Sequence, residues 1–212
     1  MFFPSSEIEV AAILSETKQP LSVAGGNTRV LVPSGSKIIS TSKLSGVIDY
    51  EPGALTMIAK AGTPLIEIQK TLASEDQCLA FDPYNWSRFI NKKGSSTIGG
   101  VFAANVSGSS RLRVGAARDF LLGIRLVDGL GNIIQNGGRV MKNVTGYDLV
   151  KLFAGSWGTL GILTEVSFKV LPKPETEATI VIHGLNDQLA LDAMIDATAT
   201  PFDVSGLAHF PK

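Results

Sequence analysis

Apolar residues along this chain recur at two spacings, and each spacing predicts a different element. Val10, Ile13 and Leu14 lie at helical intervals behind Ser6 and Glu9, a pair with the form of a capping box, so a helix is predicted near residues 6–17. LSVAGGNTR (21–29) reads as a short strand running into a glycine turn. Ile38 and Ile39, then Val47 to Tyr50, then LTMIAKAG (55–62), predict three more strands. Thr63-Pro64 has the form of an N-cap with proline in the first turn. Leu65, Ile68 and Leu72 line one face of the helix that follows. Residues 74–96 read as loop and contain Pro83, Tyr84 and Trp86.

In the second half, GIRLVDGLGNIIQ (123–135) places two apolar stretches around a glycine turn and predicts a hairpin. VTGYDLVKLFAGS (144–156) has room for a short helix. ILTEVSFKV (162–170) alternates Val166, Phe168 and Val170 with Glu165, Ser167 and Lys169, the pattern of a half-buried strand. Pro172 and Pro174 break that pattern, and a boundary is expected there. Beyond it, Thr179–His183, Asp187–Thr198 and Val204–Phe210 predict strand, helix and strand, a small β-α-β unit.

Composition narrows the function. A chain of 212 residues with this apolar content is long enough for a sizeable core. Nineteen basic and nineteen acidic residues cancel, and no basic face stands out, which argues against nucleic acid as the main partner. One cysteine, Cys78, excludes an internal disulfide and suits a reducing compartment. The opening MFFPSSEIEV lacks the form of a signal peptide, and no apolar run reaches membrane-spanning length. No metal-ligating cluster is expected.

The 22 glycines are the unusual feature, because they cluster in three segments: VAGGNTR (23–29), GSSTIGGVFAANVSG (94–108) and GSWGTLGILTE (155–165). Glycine lets a backbone turn with positive φ and lets another group lie close to its amides. Successive N–H groups in such a turn form a nest for phosphate oxygens. Thr28, Ser96, Thr97 and Ser107 add hydroxyl donors. Alone, each segment is equally an ordinary turn or a place of tight packing; together and in this order they favour a dinucleotide whose diphosphate is neutralised by hydrogen bonds alone. The glycine intervals in GSWGTLG do not fit G-x-G-x-x-G, a strand follows them instead of a helix, and no P-loop occurs. If a dinucleotide binds here, it does so without a Rossmann unit.

AGGNT, STIGGVFAANVSG, VGAARDFLLGIRLVDGLGNII, NVTGYDL and FAGSWGTLGILTEVSFKVLPKP, in that order, resemble the FAD-binding domain of the vanillyl-alcohol oxidase/PCMH superfamily. Within it the likeness is greatest to the FAD-binding E subunit of bacterial glycolate oxidase. The resemblance covers about residues 4–174 and implies an α+β fold, a PCMH-type FAD-binding domain of two α/β subdomains with FAD between them. The expected domains are 1–174, with subdomains about 1–45 and 46–174, and a truncated β-α-β cap over 175–212.

Carried onto this chain, the resemblance implies a first FAD loop of Ala24, Gly25, Gly26, Asn27 and Thr28. A second contact comprises Thr97, Ile98, Gly99, Gly100, Ala104, Asn105, Ser107 and Gly108, under the diphosphate and ribityl chain. Gly161 and Ile162 would lie by the adenine and ribose. Some relatives attach FAD through a histidine in the first loop. Here Asn27 or its neighbour takes that place, no histidine precedes His183, and Cys78 matches no attachment motif, so the expected FAD is non-covalent. A bulky residue at Gly99 or Gly100 is expected to abolish flavin binding and leave the fold intact.

The implied activity is oxidation of a small 2-hydroxy acid within an oxidoreductase assembled with other subunits. The expected location is cytoplasmic, or peripheral at the inner membrane through those subunits. A hydroxy-acid oxidase needs a base for the hydroxyl proton and a cation for the carboxylate. His183 and His209 are late in the chain, and Arg111, Arg113 and Arg118 read either as anion-facing or as solvated loop residues. No residue is assigned a catalytic role. Tyr84 and Trp86 mark either a partner surface or buried packing within the domain. The short cap keeps a second reading open: a binding or assembly module without turnover. A MurB-like reductase shares the flavin-binding architecture, but NVTGYDL and GTLGILTE argue against it.

Overall fold

A computed structural model describes residues 1–29, 37–88, 94–138 and 147–211. Most of NVTGYDL, up to residue 146, lies outside the described residues. In chain order the elements are α1 (Glu7–Glu16), β1 (Leu21–Ala24), β2 (Lys37–Ser40), β3 (Val47–Glu51), β4 (Thr56–Lys60) and α2 (Leu65–Ala73). Then come β5 (Gln77–Cys78), α3 (Ile98–Ala103), α4 (Arg111–Val114), α5 (Ala117–Phe120), β6 (Leu121–Asp128) and β7 (Ile133–Gly137). The chain continues through α6 (Leu149–Phe153), β8 (Gly161–Lys169), β9 (Leu171–Pro172) and α7 (Asp187–Thr198).

An antiparallel sheet in the order β3-β4-β8-β6-β7 forms the frame, and β1 and β2 pair in parallel beside it. One face of the large sheet buries Met57, Ala59, Ile124, Val166 and Phe168 against Ile68 and Leu72 of α2 and Val101 and Phe102 of α3. Phe102 is central to this core: its ring centroid is 5.7 Å from that of Phe81 and 5.4 Å from that of Phe168. The other face meets α1 and the β1-β2 pair, where Val10, Ile39, Val127 and Ile162 are buried together. The α+β class follows as the motifs imply.

Local sequence signals explain the helix starts. Ser6 caps α1 by accepting the Glu9 N–H, while the Glu9 carboxylate turns to the backbone N–H and hydroxyl of Ser5 instead of closing the box on Ser6. At α2 the expected cap is displaced by one residue. Pro64 occupies the cap position, and the buried Thr63 hydroxyl bonds Lys60 and Gly46 instead. Those bonds tie the end of β4 to the turn before β3, which offers Thr63 partners that a helix end alone would not.

Strand β8 departs from the half-buried pattern. Ser167 is buried, although its parity predicts an outward place, because β8 is a central strand covered on both faces. Its register against β6 slips between the pairs Arg125–Glu165 and Leu126–Leu163, leaving Thr164 unpaired as a bulge. The slip turns Leu163 toward the Phe102 core and Ile162 toward α1. At the bulge, the Thr164 hydroxyl donates to Glu7 at 2.6 Å, and Glu7 also accepts from Arg125 at 2.5 and 3.3 Å. Glu7 therefore clamps α1 to the sheet with three charge-assisted bonds. Glu7→Gln is expected to lower the unfolding free energy by about 1–3 kcal/mol, measured by urea denaturation.

The predicted β-α-β unit after Pro174 is corrected. Helix α7 forms, capped by Asn186, but no strand is present at 179–183 or 204–210, and Ile180, Val181 and Ile182 are exposed. A helix closes its hydrogen bonds within itself, whereas a strand requires a neighbour, and none is placed there among the described residues.

Candidate functional site

The three glycine-rich segments meet around one cleft of about 760 Å³, open solvent included. Its first wall is the turn that leaves β1. Ala24, Gly25, Gly26, Asn27 and Thr28 all line the cleft, and Asn27 takes the left-handed conformation at φ 54°. The amides of Gly25, Gly26, Asn27 and Thr28 have no acceptor among the described residues. A run of unsatisfied N–H groups around a left-handed residue is the geometry of an anion nest.

The second wall is the start of α3. Thr97 caps the helix, its hydroxyl accepting the Gly100 N–H at 3.3 Å. The Thr28 and Ser96 hydroxyls lie 3.1 Å apart and join this wall to the first. Contact between the two walls is at backbone level: a Cβ on Gly26 would fall 1.6 Å from the Ser95 carbonyl oxygen. At Gly26 the missing side chain lets main chains touch, whereas a Cβ on Gly25 or Gly100 would meet side-chain atoms only.

The third wall, 156–163, hangs on the end of α3. Gly155 N–H donates to Phe102 O at 3.2 Å and Trp157 N–H to Ala103 O at 2.9 Å. Ser156, Trp157, Gly158, Gly161, Ile162 and Leu163 face the cleft.

Of the residues implied by the motifs, Thr97, Gly99, Gly100, Ala104, Gly161 and Ile162 line the cleft together with the whole first loop. Four lie outside its wall. Ile98 is fully buried in the core and its N–H is bonded to Thr63 O. Asn105 accepts from the Arg118 N–H and Ser107 from the Ala117 N–H, each at 2.9 Å, so both side chains serve the turn into α5. Gly108 donates its N–H to Phe81 O and packs on Asp82. These four make contacts within the protein and are not among the cleft-lining residues.

Arg29 was missed as a site residue, although it directly follows Thr28. It is the one charged side chain in the wall among the described residues. Its guanidinium donates to Gly100 O at 3.3 Å and Tyr84 O at 2.8 Å, and its buried Nε has no partner among the described residues. Burial pushes its pKa down to about 10, so it remains a cation at neutral pH. The expectation of a site free of side-chain charge is thereby corrected. Thr41 and Ala61 also enter the wall, from strand ends that carry no motif.

None of the other singled-out groups reaches the cleft. Arg113 pairs with Asp203, and His209 Nε2 lies 2.8 Å from Asp187. Tyr84 and Trp86 are exposed, so the expectation of buried packing does not hold for them. Cys78 lies on β5, away from the cleft.

A glycine-walled cleft with a nest of free amides and, among the described residues, one cation and no Rossmann unit, built on an antiparallel frame, defines a binder of an anionic nucleotide cofactor. Comparison with known proteins specifies which. The profile described as the FAD binding domain matches residues 1–137, and the chain belongs to that family. The resemblance carried by the glycine motifs is borne out, and FAD is the cofactor it carries. The chain is 35% identical over 195 residues to glycolate oxidase subunit GlcE of Escherichia coli (strain K12), covering 91% of this chain and 54% of that protein. It is 34% identical to glycolate oxidase subunit GlcD of Bacillus subtilis (strain 168), covering 92% of this chain and 40% of that protein. It is 30% identical to D-lactate dehydrogenase of Anaerostipes hadrus, over 88% of this chain and 39% of that protein. The chain thus spans about half the length, or less, of these relatives. Among solved structures, alkyldihydroxyacetonephosphate synthase shares the fold, with a TM-score of 0.63 at 23% identity over 82% of this chain and 32% of that one.

The cleft fits the cofactor on its own chemistry. Free amides of residues 25–28 and the orphaned Arg29 Nε are donors that need an acceptor, and a diphosphate supplies several. No helix among the described residues is long and apolar enough to cross a membrane, and no metal-holding group of side chains is present among them.

Proposed function

We propose that this chain holds FAD non-covalently in the cleft and works within a larger oxidoreductase that oxidises a 2-hydroxy acid. The observation that carries the reading is the meeting of three sequence-distant glycine segments around one set of free amides. Residues 25–28 and 97–100 would hold the diphosphate, and 156–163 would receive the nucleoside end. Bound FAD supplies the acceptor for two electrons; the protein supplies position, charge and exclusion of water. No histidine or cysteine lines the cleft among the described residues, which supports non-covalent binding. Relatives named as glycolate oxidase subunits and a D-lactate dehydrogenase support the hydroxy-acid class and, for the subunits, a complex with other chains.

A second reading is an FAD-binding module without turnover. It draws on the absence of any titratable group other than Arg29 from the cleft wall, among the described residues. An acid–base pair for the substrate hydroxyl would then have to come from elsewhere. Anaerobic mixing of the flavin-loaded chain with glycolate or D-lactate separates the two. Bleaching of the flavin spectrum is expected for the enzyme, and an unchanged spectrum with every hydroxy acid supports the module. Acid precipitation is expected to release all flavin into the supernatant. Colour retained on the pellet would refute the non-covalent assignment.

A further inference from the structure

We propose that Arg29 is the counter-cation for the cofactor diphosphate, so that retention of FAD, but not of the flavin ring alone, depends on its charge. The inference rests on the FAD reading of the cleft and deepens it by naming a residue that the glycine motifs do not contain.

Three observations converge. Arg29 follows directly on the free amides of residues 25–28 and lines the same cleft, whose remaining wall residues, among those described, are uncharged. Its two carbonyl bonds, to Gly100 of the second wall and to Tyr84, fix the guanidinium between segments instead of letting it extend into water. Carbonyl oxygens satisfy N–H groups but bring no negative charge, and no acidic side chain among the described residues pairs with Arg29. Nε is buried with no acceptor among the described residues.

A partly desolvated cation without a counter-ion is costly in a folded protein. The lowering of its pKa, with burial as the sole cause, expresses that cost. An anion entering the cleft removes it. A planar guanidinium matches two oxygens of one phosphate or one on each of two, and the neighbouring amides add donors to the same group. A diphosphate uses all of these donors together. The isoalloxazine ring carries no comparable charge.

The test titrates the full apo-chain with FAD and with riboflavin, which lacks phosphate. Arg29→Gln removes the charge and keeps an amide able to reach a carbonyl; Arg29→Lys keeps the charge. For Arg29→Gln the FAD dissociation constant is expected to rise about 10- to 100-fold, the range for a lost hydrogen bond to a charged group. Riboflavin affinity should stay unchanged, and Arg29→Lys should recover part of the FAD loss. Equal FAD affinity in wild type and Arg29→Gln overturns the proposal. So does a parallel loss of FAD and riboflavin, which would make Arg29 a strut between Gly100 and Tyr84.

Should Arg29→Gln fail to fold, the wild-type chain decides the matter. Its FAD affinity is expected to fall with added salt while riboflavin affinity does not, and a flat salt response for FAD overturns the proposal. A folded wild-type chain that takes up no FAD overturns the reading of the cleft itself, an outcome distinct from the failure of Arg29 alone.

Discussion

Gly99→Ala is expected to lower the melting temperature sharply, whereas Gly100→Ala, one position on in the same helix, is expected to leave the fold standing and weaken FAD retention. Both residues are in α3 and both line the cleft, so sequence position alone makes them equivalent. Their surroundings differ. A Cβ on Gly99 would lie 2.5 Å from the Ala61 Cβ, 2.7 Å from its carbonyl oxygen and 2.9 Å from its Cα, and the Gly99 N–H is bonded to that same carbonyl. Relief would have to come from the β4 end and α3 moving apart. Such overpacking costs about 1–3 kcal/mol, and more where backbone must shift. At about 2–4 °C per kcal/mol for a chain of this size, a fall of several degrees or more is expected.

A Cβ on Gly100 meets only the capping Thr97 hydroxyl, at 3.0 Å, a contact that a small shift of one side chain relieves without moving backbone. The expectation that either glycine reports on flavin without touching the fold therefore survives for Gly100 alone. Thermal melts of the two apo-variants, followed by FAD titration, check the contrast. Equal melting temperatures would show that α3 does not press on Ala61 as described.

Phe102→Ala is expected to destabilise the chain by about 3–5 kcal/mol, a large part of the stability of an ordinary domain. The side chain is fully buried between Phe81 and Phe168, so its loss opens a cavity where the sheet, α3 and the 79–81 segment meet. The effect should reach the cofactor as well. The Phe102 carbonyl accepts the Gly155 N–H and Ala103 holds Trp157, so movement of α3 carries the third cleft wall with it. Urea denaturation with and without saturating FAD measures both consequences. Bound ligand should restore part of the loss, since binding to the folded state alone stabilises it by mass action. A loss below about 1 kcal/mol would place Phe102 outside the packed core.

Much of the secondary structure was legible because its signals are local. Ser6 and Glu9 marked the start of α1, the 123–135 pattern marked the β6-β7 hairpin, and Leu65, Ile68 and Leu72 marked the buried face of α2. The cofactor was legible too, though only through the order of three motifs and their resemblance to a family. Two expectations failed for a common reason. The burial of Ser167 depends on what covers the second face of β8, and the absent strands at 179–183 and 204–210 depend on whether a neighbour exists. Neither is written in the segment concerned.

Period, caps and turn residues specified most of the pieces that form, because short-range sterics and hydrogen bonding act within a few residues, while the order of the glycine segments and their likeness to a family pointed to the dinucleotide. Assembly in space decided which of those residues form the cleft: it buried Ile98, committed Asn105 and Ser107 to a turn, and turned Gly26 and Gly99 into backbone contacts. It also brought Arg29 between Gly100 and Tyr84, residues 71 and 55 positions away along the chain. Desolvation of a charge is a property of everything around it, and only the packed molecule defines that surrounding.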